Sequence, residues 1–496
     1  MRQSRQRQPT LEGAGPKANY VAGSWRVGSD VLRDDNPSDL DEPIGEFARA
    51  SHGDVGDAVA AAEAAFGTWS RTNPKRRSEA LDTIGSELIA RSEELGELLS
   101  REEGKTLAEG VGEVRRAGEI FRYYAAEAYR SAGELLPGFR DGVEVDVRRH
   151  PIGVVGVITP WNFPIAIPAW KVAPALAYGN TVVLKPAELV PASAWALTEI
   201  ISRAGLPDGA FNLVMGEGET VGAALTEDPR LAGITFTGSV EVGRRVAATA
   251  VRHMTRVQLE LGGKNPLVVL DDADLDVAVE CALQGAYFST GQRCTASSRI
   301  IVTRGIEPRF SRALAERVAS LRVGHALDPD TQIGPVVDVR QLEADLRWLE
   351  RAQAEGARAA VLGDVVQRPT RGHFLKPTLF VDTTPSMPIN CEEVFGPVAS
   401  VIAVADYEEA LAVANDTRYG LVAGIVTRSL AHATHFRLHA EAGMVMVNLP
   451  TAGMDYHAPF GGVKASNYGA REQGTYAKEF FTYARASYVH AGDVTS

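Results

Sequence analysis

Long hydrophobic runs, a basic surplus and paired cysteines are all missing from this sequence, and each absence removes a class of function. No apolar stretch approaches the ~20 residues that a bilayer-spanning helix needs, so no membrane partner is expected. Lys and Arg total 51 against 63 Asp and Glu, a formal charge of -12. Such a surface does not neutralise phosphate backbones, so no nucleic-acid partner is expected. A small anion can still be held by local charge. The three cysteines, Cys281, Cys294 and Cys391, form no CxxC pair and no zinc-type cluster. That pattern predicts reduced thiols in a cytoplasmic protein and no metal site. Residues 1–17 carry three Arg and one acid but lack the apolar core of a secretory signal; they read as a disordered lead-in. Repeats and low-complexity linkers are absent too, so the lobes are expected to pack together rather than hang on a tether.

What is present is ample core material. With 496 residues and 45% hydrophobic content, the chain exceeds one compact core and predicts two or three lobes. A short strand-like opening (Asn19, Tyr20, Val21, Trp25) leads into a turn-rich stretch to about Ser51. Helical spacing follows at Val55, Val59, Ala62, Phe66 and Trp69, then at Leu81, Ile84, Leu88, Leu95 and Leu99, and again at Val111, Val114, Ile120 and Phe121. Val143, Val145 and Val147 alternate with Glu144, Asp146 and Arg148, the mark of a strand with one wet face. From Gly153, short apolar strands (154–158, 181–184, 211–214, 234–236, 257–261) alternate with helices (169–178, 192–204, 220–225, 240–251). This predicts an α/β fold whose parallel sheet is covered on both faces. A second alternating series runs from Pro266 to about Val447.

Three segments carry chemistry. In Gly291-Gln292-Arg293-Cys294-Thr295, a cysteine among small and polar residues is either an accessible nucleophile, with Arg293 steadying its thiolate, or a buried inert thiol. In Leu259-Glu260-Leu261-Gly262-Gly263-Lys264-Asn265, a glutamate inside an apolar strand end is either salt-bridged or a base whose pKa desolvation has raised. In Thr159-Pro160-Trp161-Asn162-Phe163-Pro164, two prolines stiffen a loop after a strand. Asn162 is there either a turn residue or an amide donor held ready for an oxyanion.

Together with Lys185-Pro186-Ala187-Glu188, Phe236-Thr237-Gly238-Ser239, Glu393-Val394-Phe395-Gly396-Pro397 and Pro459-Phe460-Gly461-Gly462, these segments resemble the NAD(P)-dependent aldehyde dehydrogenase superfamily in order and spacing, from about Asn19 to the C-terminus. The resemblance implies an aldehyde dehydrogenase-like α/β architecture. A Rossmann-type cofactor lobe would span 1–137 and 152–261, an α/β catalytic lobe 262–460, and a β oligomerisation arm 138–151, with a return segment and C-terminal strand at 461–496. It implies Cys294 as nucleophile, Asn162 as oxyanion donor, Glu260 as the base that activates water, and Lys171 as support for proton transfer. It implies a site for NAD, with NADP also open, made by Trp161, Lys185, Glu188, Gly222, Gly238, Ser239, Leu261, Glu393 and Phe395. A homo-oligomer, dimer or tetramer, is expected through pairing of an unpaired strand edge.

Within the superfamily, Ser289–Arg299, Val447–Gly453 and Arg471-Glu472-Gln473-Gly474 resemble the 2,5-dioxovalerate (α-ketoglutarate semialdehyde) dehydrogenases. A carboxylate-bearing aldehyde needs a cation at the far end of its pocket, and Arg293 is the nearest in sequence, with Trp170 as a second substrate contact. Succinate semialdehyde and aromatic aldehydes are the competing substrates. The competing activities are CoA acylation, which leaves Glu260 without a task, and a thiol hydrolase. A catalytically silent protein on the same fold is the remaining reading.

Overall fold

A computed structural model describes residues 15–28, 30–130 and 133–492. Most of the stretch read as a lead-in, 1–14, lies outside the described residues. The sequence places Val154, Val155, Val157 and Ile158 on neighbouring positions with no polar break, which suits a strand buried on both faces. Strand Val154–Ile158 is fully buried and central. It lies in an eight-stranded sheet whose parallel core runs Arg256–Leu261, Gly233–Gly238, Val154–Ile158, Thr181–Lys185 and Phe211–Leu213. Asn467–Tyr468 closes one edge antiparallel, and Asn19–Val21 with Ser24–Arg26 close the other.

A second, seven-stranded sheet orders Arg358–Val361, Thr378–Thr383, Val398–Val404, Arg299–Thr303, Pro266–Val269, Val422–Val426 and Met444–Val447. All its neighbours are parallel except the first pair. Each sheet has its own core, one around Leu176, Leu184 and Trp195, the other around Leu267, Ile300 and Phe310.

The helical spacings at 55–69 and 81–99 resolve into three helices, His52–Trp69, Pro74–Ala90 and Ser92–Glu103. Breaks fall where the chain supplies caps: Ser51 with Asp54 forms a capping box, and Asn73 caps ahead of Pro74. The turn-rich stretch before Ser51 holds a two-stranded ribbon, Val31–Asp34 with Gly45–Ala48; strands of four residues are too short for periodicity to show. The helix expected at 220–225 is a π turn, Gly218–Gly222, running into the short helix Ala223–Glu227.

The alternating strand lies beside the C-terminal segment in one arm, with a third strand that the sequence did not show. Val143–Pro151 is the middle of a three-stranded sheet, flanked by Thr482–His490 and Glu134–Pro137. Both its edges are therefore paired, and the open edges belong to its two neighbours. Alternation reports which face is wet, not which edge is free. Among the described residues, no helix is long and apolar enough to cross a membrane.

Candidate active site

The C-terminal ends of the parallel strands in the first sheet lie side by side, which is where such sheets receive ligands. Ile158 pairs with Phe236 and with Lys185, and Thr237 with Glu260. The loop after Ile158 carries Trp161 and Asn162 into this edge. Asn162 is buried; its Nδ2 donates to the Gln292 carbonyl at 2.9 Å and its own carbonyl accepts from Lys105 Nζ at 2.8 Å. The second amide proton has no acceptor among the described residues.

Cys294 comes to the same place by way of an unusual turn. Helix Leu275–Tyr287 ends and Ser289, Thr290 and Gly291 take positive φ values of 51°, 56° and 67°. Two consecutive non-glycine residues in this region cost about 1–2 kcal/mol each and need anchors. Glu109 Oε1 accepts from the Ser289 N–H at 2.7 Å and from its hydroxyl at 3.0 Å, and Thr290 Oγ1 donates to the Gly334 carbonyl at 3.1 Å. A Cβ on Gly291 would lie 2.2 Å from the Gly396 carbonyl oxygen, so only glycine closes the turn. Glu109 Oε2 meanwhile accepts from Thr106 N and Oγ1 in the capping box that opens helix Leu107–Glu127. One carboxylate thus ties that helix to the cysteine turn. The Cys294 carbonyl accepts from Asn265 Nδ2 at 2.8 Å, which fixes the backbone on the other side.

Arg293, the expected support for a Cys294 thiolate, is also engaged with a carboxylate and a hydroxyl. Arg293 Nη2 is committed to Glu109 at 3.2 Å and to Ser289 Oγ at 2.9 Å. Burial, then the nearby carboxylates Glu393 and Glu260, push the Cys294 thiol up to about 12. Attack on a carbonyl therefore calls for a base or a nearby positive charge that helps the sulfur lose its proton.

Glu260 is buried at the end of strand Arg256–Leu261, and burial followed by the Glu472 carboxylate holds its pKa well above the usual carboxylate range. Asn467 Nδ2 donates to its Oε1 at 2.5 Å, while Oε2 has no partner among the described residues. Lys171 lies fully buried between Glu472 and Thr235, donating to both. A buried carboxyl with high proton affinity and a bare oxygen, near a protonated thiol, has the properties of a base poised for use.

The cofactor candidates spread along the same strand ends. Lys185 Nζ meets Glu188 Oε2 at 3.3 Å. Gly222 ends the π turn beside them, where a Cβ would meet nothing nearer than Lys185 Cδ at 4.0 Å. Gly238 ends strand Gly233–Gly238, and Ser239 caps helix Val240–Arg252 by accepting from Val242 N. The Leu261 side chain seats that helix, since a Cβ on Gly243 would lie 2.5 Å from Leu261 Cδ2. Glu393 Oε1 accepts from Gly263 N at 2.9 Å, and burial raises its carboxyl to about 7. Phe395, at φ 67°, meets Trp161 edge to face at 5.3 Å. The buried hydroxyls of Thr159 and Thr237 have no partner among the described residues. Open turns, a helix N-terminus and unpaired hydroxyls on one strand edge fit a dinucleotide.

In front of Cys294 lies a cavity of about 440 Å³. Phe163, Trp170, Phe288 and Phe460 give it apolar walls, and Trp170 packs on Phe460 with ring centroids 5.5 Å apart. Arg293 lines it too, but with its charge already matched by Glu109. Sequence reading missed the residues that hold the site: Lys105, Glu109, Glu113 and Asn467. The Thr106-x-x-Glu109 spacing was a visible capping signal; its second oxygen's task was not.

Comparison with known proteins agrees with this geometry. The chain is 40% identical over 475 residues to the α-ketoglutaric semialdehyde dehydrogenase of Bacillus subtilis, covering 95% of this chain and 97% of that one. It is 41% identical over 474 residues to the 2,5-dioxopentanoate dehydrogenase of Saccharolobus solfataricus, covering 94% and 98%. The crystal structure of betaine aldehyde dehydrogenase from Staphylococcus aureus in complex with NAD+ superposes with a TM-score of 0.92 at 32% identity, covering 96% of each chain. The profile described as "Aldehyde dehydrogenase family" matches residues 25–487. The chain belongs to the aldehyde dehydrogenase family.

Proposed function

We propose that the protein oxidises an ω-oxo acid, 2,5-dioxovalerate, to the dicarboxylic acid with NAD, through Cys294. The observation that carries this reading is Cys294 in the cavity wall, with the Glu260 carboxyl near enough to raise its thiol and bare at Oε2, and with Asn162 Nδ2 bound to the carbonyl of Gln292, two residues before the cysteine. Glu260, or its neighbours through it, takes the thiol proton, and the sulfur adds to the aldehyde carbon to give a thiohemiacetal. The free Asn162 amide proton and the Cys294 backbone N–H receive the oxyanion. A bound nicotinamide supplies the hydride acceptor that converts this adduct to a thioester. Glu260 then takes a proton from water, the water oxygen adds to the thioester carbon, and the C–S bond breaks to release the acid. Lys171 and Glu472 set the proton affinity of Glu260 and offer its proton an onward partner.

Trp161, Lys185, Glu188, Gly222, Gly238, Ser239, Leu261, Glu393 and Phe395 would hold the dinucleotide. Glu188, already matched to Lys185, supports NAD over NADP, because a carboxylate repels a 2′-phosphate. The substrate assignment is supported by the relatives named for that aldehyde and by cationic residues in the cavity wall. The lobe boundaries at 137/138, 151/152, 261/262 and 460/461 belong to the same reading. So does self-association, supported by exposed Leu135, Phe139, Tyr488 and Val489 on the three-stranded sheet and its turn. Three unpaired cysteines support a reducing, cytoplasmic setting.

The test is a steady-state comparison of 2,5-dioxovalerate, succinate semialdehyde and vanillin with NAD and NADP. The highest kcat/KM is expected for 2,5-dioxovalerate with NAD; equal values across the three aldehydes overturn the substrate assignment. Cys294→Ala should lower NADH formation by roughly 10³-fold or more. Glu260→Gln removes the base for both half-reactions, so the first turnover of NADH should slow along with the steady state, and any acyl group that does form on Cys294 should persist in the mass spectrum. Undiminished turnover in Cys294→Ala defeats the mechanism.

A further inference from the structure

Three cations line the cavity in front of Cys294: Lys105, Arg116 and Arg293. Two are spent. Lys105 Nζ is 1% exposed and bound to Glu113 at 2.6 Å and the Asn162 carbonyl at 2.8 Å, with Glu103 at 3.8 Å. Arg293 is bound to Glu109 and Ser289. Arg116 differs. Among the described residues it has no carboxylate within ion-pair distance, and its one hydrogen bond goes from Nη2 to the Met454 carbonyl. A guanidinium has five N–H donors in a planar fork, so four remain uncommitted. Burial lowers its proton affinity, only partly offset by the more distant Asp455, Glu113 and Glu119. A half-buried cation without compensation attracts an anion.

The helix sets where that anion would sit. Glu109, Gly112, Glu113 and Arg116 occupy one face of helix Leu107–Glu127, and all four line the cavity. Glu109 meets Arg293, the residue before Cys294, and Arg116 lies seven residues on, roughly 10 Å farther along the axis at 1.5 Å per residue. At Gly112, between them, an added Cβ would meet nothing within 4 Å. The floor is therefore open, with apolar rings around it. The cavity that Cys294 and Arg116 both line has room for a short carbon chain with an aldehyde at one end and a carboxylate at the other.

We infer that Arg116 receives the far carboxylate of the substrate through a forked ion pair, and so selects ω-oxo acids over uncharged aldehydes of the same length. The inference rests on the proposed function. Arg293, the sequence-based candidate, instead holds the cysteine turn. Met454 lines the same cavity with Pro450, Ala452 and Gly453, so the existing hydrogen bond holds the guanidinium at the cavity wall.

The experiment compares kcat/KM for 2,5-dioxovalerate and pentanal, which share a five-carbon length, in the wild type, Arg116→Gln and Arg116→Lys. The wild type should favour the oxo acid. In Arg116→Gln that ratio should fall roughly 10- to 100-fold, the range of a hydrogen bond to a charged group, mostly through KM. Arg116→Lys should fall between, because it keeps the charge and loses the fork. Competitive inhibition by 2-oxoglutarate should weaken in parallel. If Arg116→Gln fails to fold, a smaller drop in the same ratio must still appear in Arg116→Lys. An unchanged ratio, or equal losses on both aldehydes, overturns the inference and leaves Arg116 as a clip on the Met454 loop. A wild type that does not favour the oxo acid overturns the substrate reading and this inference with it.

Discussion

Two buried clusters of lysine and glutamate flank the site, and the carboxylates of Glu113 and Glu260 within them differ in how completely their oxygens are used, Glu103 next to Glu113 keeping one oxygen bare. In the first, Glu113 Oε1 accepts from the N–H groups of Ile165 and Ala166, both at 3.0 Å, and Oε2 accepts from Lys105 at 2.6 Å. Nothing on Glu113 is left over. In the second, Lys171 pairs with Glu472, while Glu260 accepts only from Asn467 and keeps Oε2 bare. A carboxylate whose lone pairs are all engaged has its charge fixed and acts as a brace. One with a bare oxygen and raised proton affinity can exchange a proton. The closed cluster seats the start of helix Ala166–Ala177 and the Asn162 carbonyl; the open one faces the reaction.

Three variants test that contrast. The largest effect is expected in the closed cluster. Lys105→Met strands Glu113 and Glu103 in the interior without a counter-charge, a loss of about 3–5 kcal/mol for a buried pair. Its urea unfolding midpoint should drop accordingly, and kcat should fall as Asn162 loses its carbonyl donor. Wild-type stability in this variant would erase the distinction between brace and base.

The open cluster should respond in pH rather than in stability. Hydrolysis of the acyl-enzyme rises with pH as Glu260 loses its proton. The Glu472 charge raises the affinity of Glu260 for that proton. Glu472→Gln should therefore move the rising limb of the single-turnover hydrolysis profile to lower pH. A limb that stays put would show that Glu472 does not act on Glu260. The smallest effect is expected from Asn467→Ala. Its amide stabilises the charged form of Glu260, so its loss should shift the limb to higher pH, by less than Glu472→Gln shifts it down. A shift in the same direction as Glu472→Gln contradicts the assigned roles.

The sequence singles out Cys294, Glu260 and Asn162 as candidates from their neighbours, each beside an inert alternative, and the resemblance to the family chose among those alternatives. A glutamate between leucines and an asparagine between prolines are visible from neighbours alone. Lys105, Glu113 and Arg116 were hidden for the opposite reason. On an amphipathic helix the polar positions of Leu107–Glu127 look like a solvated face, and only the packing of helix Ala166–Ala177 and of the segments at 288–295 and 450–454 against it turns that face inward. Glu472 lies 212 residues beyond Glu260 in the chain, and no spacing rule joins them.

By itself, then, the sequence determined the strand–helix alternation, the two sheets it builds and the side chains at the strand ends, since period and local chemistry depend on near neighbours. Tertiary structure alone decided which charges meet. It matched Arg293 to Glu109, left Arg116 without a carboxylate partner among the described residues, and raised the proton affinity of the Cys294 sulfur. Those outcomes follow from burial and from distances of a few ångströms between distant segments, where the weak screening of the interior lets each partner set the charge of the next.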